Sequence, residues 1–92
     1  MVIDDDLAFR LRRHARQGGK TSRRRQVDRV HQLFRWAEQQ GVKAPQQIGK
    51  RHVHEWLAET DSDKTRRDRY YAVRLLWQLL GRGEPTFVSY SG

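Results

Sequence analysis

The sequence predicts an all-α domain, a small bundle of four to five helices, and three observations lead there. Apolar residues recur at intervals of three and four along most of the chain, the period that lines one side of a helix. Each such stretch is closed by glycine or a polar turn: Gly18-Gly19, Gly41, Thr60 to Lys64, and Gly81. The 92 residues contain no cysteine, which allows one domain with a modest core and no disulfide framework.

The elements follow in order. Asp4 to Gln17 reads as a short basic helix, with Asp4, Asp5 and Asp6 placed where acids favour a helix start. Ile3, Leu7, Leu11 and Ala15 give it a thin apolar stripe among Arg10, Arg12, Arg13 and Arg16. Two readings stand here: a frayed arm held by its leucines, or a basic arm that orders on a phosphate backbone. Thr21 or Ser22 caps a second helix that runs to about Gln40. Val27, Val30, Leu33, Phe34 and Ala37 make its core face, while Arg25, Arg29, Gln32 and Trp36 form a separate stripe. Trp36 suits either a boundary under a neighbouring helix or a stack on a base.

A third helix starts at Gly49 and ends near Glu59, with Ile48 and Val53 spaced as a hydrophobic staple and Trp56 and Leu57 buried. A fourth runs from about Thr65 to Leu80, where Thr65 and Asp68 have the spacing of a capping box. Its apolar residues cover more than half of the circumference, which makes it central. Arg67, Tyr71, Arg74 and Gln78 are its polar stripe. The tail after Pro85 reads as irregular, with Phe87, Val88 or Tyr90 able to dock on the bundle.

Charge narrows the function. The formal net charge is +8, and arginine supplies 15 of the 19 positive side chains. The guanidinium fork matches phosphate oxygens and guanine edges, so an arginine-dominated excess points to nucleic acid. No apolar run approaches the ~18–20 residues that cross a bilayer, and MVIDDDLAF has no secretory h-region. A cytoplasmic address with no membrane partner is the expectation.

The chain holds no G-x-S-x-G, no G-x-x-x-x-G-K-[ST] and no H-E-x-x-H. His52 and His54 are two apart on a helix and point to different faces, without an acidic or thiol partner. Neither an enzyme nor a cofactor or metal is expected. What remains is three basic clusters, each at or just before a helix start. They are Lys20 to Arg29 (Lys20, Arg23, Arg24, Arg25, Arg29), Lys50-Arg51, and Lys64 to Arg74. Helix N-termini already attract anions through free N–H groups, so these ends together suit a phosphate backbone.

Three consecutive pieces resemble the SAM-like N-terminal core-binding domain of phage integrases and other tyrosine recombinases. KTSRRRQVDRVHQLFRWAEQQGV is similar to that family's opening helix, with its Thr/Ser start and the aromatic pair Phe34 and Trp36. QQIGKRHVHEWLAE is similar to its second piece. SDKTRRDRYYAVRLLWQLLGRGEP is similar to its closing helix, through Thr65, Ala72, Val73, Arg74, Leu76 and Trp77 with Pro85 after them. The resemblance divides the chain into a basic arm or helix over 1–19, a core-binding-like domain over 20–85 and a tail over 86–92. It implies a helical clamp on duplex DNA, in mobile-element recombination or its regulation. The positions it implies at DNA are Thr21, Arg23, Arg24, Thr65, Arg66, Arg67, Tyr71 and Arg74; the helix-start clusters add Lys20, Arg25, Lys50, Arg51 and Lys64.

The family's catalytic part has no counterpart in these residues. Seven residues follow Pro85 and no H-x-x-R occurs, so strand transfer by this chain alone is not expected. Whether the chain stands alone or belongs to a larger recombinase is open at this point. Two other partners also stand. Arginine clusters do not separate DNA from RNA. Leu75, Trp77, Leu79 and the tail's Phe87 to Tyr90 suit a homodimer or a recombinase partner instead.

Overall fold

α1 (Asp5–Arg16) begins where Asp4 turns extended and its carboxylate accepts the Leu7 N–H at 2.7 Å. That bond satisfies one of the donors a helix start leaves open, and Asp5 and Asp6 add negative charge at the dipole's positive end. The computed structural model describes residues 1–17 and 21–88. α1 is a full member of the bundle, because Leu7 and Leu11 reach the common core.

α2 (Thr21–Gln39) buries Val27, Val30, Leu33, Phe34 and Ala37, the stripe its spacing predicts. Thr21 and Ser22 are helical residues and not the cap expected of them; Lys20, before them, lies outside the described residues. Trp36 is half-buried with its ring edge-on to His52, 6.3 Å between centroids, as a boundary under the next helix. A 3-10 turn at Pro45–Gln47 leads to α3 (Lys50–Ala58). Gly49 precedes α3 with no side chain to offer, and His52 Nδ1 accepts the Gly49 N–H at 3.1 Å. Ile48 and Val53 are both fully buried, so the staple forms.

α4 (Asp63–Leu79) has its cap three residues earlier than the Thr65–Asp68 spacing suggests. Ser62 is the cap, its Oγ accepting the Thr65 N–H at 3.2 Å. The earlier start places Asp63 in the first turn, where a carboxylate is favoured, and leaves Asp68 free to reach α2. Ala72, Val73, Leu75, Leu76 and Trp77 of α4 are buried.

α2 and α4 end in the same way. Gly41 and Gly81 adopt φ of 89° and 75°, the left-handed conformation that only glycine takes without strain. Val42 N–H bonds Ala37 C=O at 3.0 Å and Gly41 N–H bonds Glu38 C=O at 3.1 Å. Arg82 and Gly81 repeat this on Trp77 and Gln78, so both ends are Schellman motifs.

Contacts fix the helix directions. The end of α1 meets the start of α2 through Arg23 Nη1 to Gln17 Oε1 at 3.0 Å and His14 to Gln26 at 3.1 Å. Ser22 and Lys64, from the first turns of α2 and α4, line one cleft that Arg29 and Asp68 bridge at 3.5 Å, so those two helices start at the same end of the molecule. α3 runs opposite to α4, its end against the start of α4 and its start against α4's end. Phe87 then packs on Trp77 and His54, with ring centroids 5.5 and 5.6 Å away. Leu75 and Trp77, offered by the sequence as partner surface, are therefore inside this chain's own core, with Leu79, Phe87 and Val88 packed against it. Tyr90 lies outside the described residues.

Candidate nucleic-acid interface

Spacing of four and three puts Arg25, Arg29 and Gln32 on one side of α2, and Lys64, Asp68 and Tyr71 on one side of α4. Because the two helices start together, those sides face each other across a cleft of about 570 Å³, also lined by Ser22, Gln26 and Asp28. Arg29 and Asp68 bridge it at 3.5 Å with both side chains partly exposed. At that exposure the pair contributes little to stability. Arg25 and Lys64 are exposed and have no ion pair with any acid of the described residues. Tyr71 is 41% exposed, one of the few large apolar side chains left on the surface. Asp28 opposes the cations, so the lining carries three positive and two negative side chains.

Around the cleft, Thr21 and Arg24 are exposed in the first turn of α2, and Arg23 is turned towards Gln17. Arg67 is exposed on α4. Arg74 is exposed too, but Glu84 holds its Nε at 3.0 Å. Lys50 and Arg51 do not join this group. They sit at the start of α3, the opposite end of that helix, with Lys50 Nζ 5.8 Å over the Phe87 ring and Arg51 paired to Glu55 at 3.2 Å. The structure thus brings two of the three basic clusters together and leaves the third apart.

Thr65 and Arg66 serve the fold. Thr65 donates its N–H to the Ser62 cap. Arg66 donates from Nε to the Leu57 carbonyl at 3.3 Å, from Nη2 to the Thr60 carbonyl at 2.8 Å, and pairs with Asp63 at 3.1 Å. Sequence reasoning missed its companion. Arg69 donates to the Trp56 carbonyl at 2.7 Å, pairs with Glu59 at 3.2 Å and lies 4.9 Å over the Trp56 ring. Its buried Nε has no hydrogen-bond partner among the described residues. Together the two arginines cap the C-terminal end of α3, where carbonyls lack partners and the dipole favours cations. The short connection between α3 and α4 was the available signal, since it must place the first turns of α4 beside those carbonyls.

Two more clamps follow the same logic. Arg82 donates to the Ile48 carbonyl at 2.6 Å and to that of Gln46, and its guanidinium lies 4.8 Å over Trp77. Arg10 Nη1 reaches the Leu79 carbonyl at 3.3 Å.

His52 and His54 part company, the first accepting from Gly49 and the second edge-on to Phe87. No helix among the described residues is long and apolar enough to cross a membrane. No protein-family model, curated protein or solved structure matches the chain.

Proposed function

We propose that the chain is a non-enzymatic module that grips duplex DNA at the joint start of α2 and α4, in the manner of the integrase core-binding domains its sequence resembles. The observation that carries the reading is the pairing of Arg25 and Lys64 across one cleft, neither engaged by an acid, with Arg24 and Arg67 beside it. Guanidinium and ammonium groups placed this way neutralise phosphates, and Tyr71 offers an apolar surface to a sugar or a base edge. Backbone contacts of this kind position a protein without selecting a sequence.

The test is a double reversal, Arg25→Glu with Lys64→Glu, measured by fluorescence anisotropy on a labelled duplex at ~100 mM salt. Neither side chain makes a hydrogen bond or ion pair among the described residues, so circular dichroism should be unchanged. Affinity is expected to fall at least about tenfold, as befits two lost phosphate contacts. An unchanged affinity in the folded double variant overturns the assignment, and tighter binding to an RNA duplex of the same sequence moves it to RNA. Arg66 is unsuited to such a test, because reversing it also releases the carbonyls of Leu57 and Thr60.

A further inference from the structure

α1 carries a second surface that the cleft does not use. Phe9 is 55% exposed, and Arg12, Arg13 and Arg16 follow it at intervals of three, four and seven. Those intervals set all four on one side of the helix, opposite Leu7 and Leu11 in the core. With Gln17 they line an open cup of about 500 Å³, to which Phe9 supplies an aromatic ring. None of the three arginines has an ion pair or hydrogen bond among the described residues. The helix's acids lie at its other end: Asp4 caps it, Asp6 pairs with Arg10 at 3.1 Å, and Asp5 stands one turn before Phe9.

We infer that this cup takes an unpaired nucleotide of a single strand, with the base stacked on Phe9 and the flanking phosphates held by Arg12, Arg13 and Arg16. An aromatic face among arginines meets both halves of a nucleotide at once, a π-face and an anion. Charge selects the occupant. A second copy of α1 would bring arginine against arginine. A lipid surface needs an apolar stripe, and that of α1 is committed to the core. A base inside a duplex is already stacked on its neighbours, so the site favours one that is not. Gln17 also accepts from Arg23 at the start of α2, which sets the cup at the same end of the bundle as the cleft. A duplex with a single-stranded extension could therefore engage both, a relation that rests on the duplex reading while the cup itself does not.

The experiment compares a labelled oligo-dT of roughly 12 nucleotides with an abasic phosphate oligomer of equal length and charge. The wild-type protein is expected to prefer oligo-dT by about tenfold, the size of one base–aromatic stack. Phe9→Ala and Phe9→Leu should both remove that preference while leaving the helical spectrum intact, because the ring is largely outside the core. Arg25→Glu with Lys64→Glu should leave the preference untouched, which separates failure of the cup from failure of the cleft. Equal binding of the two oligomers by the wild type, a preference that survives Phe9→Leu, or equally tight binding of a polyglutamate of the same charge overturns the inference.

Discussion

A guanidinium holds five N–H donors in a planar fork, and Arg10, Arg66, Arg69 and Arg82 aim that fork at backbone carbonyls at or near helix and turn ends. Part of the arginine excess is therefore structural, and at these positions lysine is a poor substitute because it has neither the fork nor the flat face. Arg69 is the clearest case, with a side chain 15% exposed, a carbonyl at 2.7 Å and a tryptophan face beneath it. Arg69→Lys should lower stability by about 1–2 kcal/mol, the scale of a charge-assisted hydrogen bond. In thermal unfolding that is a drop of roughly 4–8 °C per kcal/mol for a domain of this size. Duplex affinity of the folded variant should not change, and a loss of affinity without a loss of stability would move Arg69 to the interface. Such roles were hidden in the sequence for a physical reason. Arg82 and Ile48 are 34 positions apart, and only the assembled bundle brings a carbonyl to that guanidinium.

At the level of elements, local rules worked where local forces decide. Val27, Val30, Leu33, Phe34 and Ala37 repeat at helical intervals and all are buried, and Gly41 and Gly81 close helices as their lack of a Cβ allows. The start of α4 was misread because Ser62 with Thr65 and Thr65 with Asp68 are both capping spacings. The first prevails because it adds helix and sets Arg66 beside the end of α3, a tertiary gain that neither spacing reveals. Gly81 offers a test at this scale. A Cβ there meets no atom within 4 Å, so the only cost of alanine is its φ of 75°. Gly81→Ala should destabilise by about 1–2 kcal/mol, the penalty of the left-handed conformation. Denaturant titration should show a lower midpoint at unchanged slope, and a neutral result would mean that the Schellman end can unwind without consequence.

For the whole molecule, net charge is a weaker guide than its placement. Of the candidate cations, Lys50 and Arg51 sit at the far end of α3, Arg66 is spent on carbonyls and Arg74 is held by Glu84. Arg24, Arg25 and Lys64 remain exposed at the start of the two helices with no ion pair to an acid of the described residues, while Arg29 lines the cleft already paired with Asp68. Three neutralised phosphates give a slope of log K against log salt of about −2.7, and the Arg25, Lys64 double reversal should flatten it by about 2. A slope near zero in the wild type would point to a partner held by apolar contact. Which helix starts share an end could not be read from the chain, since it depends on how α3 folds back along α4. Once that is known, the basic clusters sort into two near the cleft and one remote.

The placement of the indole rings has a consequence for optical work. Trp36 lies against His52, Trp56 under Arg69 and Trp77 under Arg82 and beside Phe87, all at seams between elements. The aromatic side chain in the cleft is Tyr71, and the one in the cup is Phe9. Tryptophan emission is thus a gauge of packing, since none of the three rings lines the cleft or the cup. Unfolding can be followed through it while an oligonucleotide is titrated in, with the two signals recorded on the same sample.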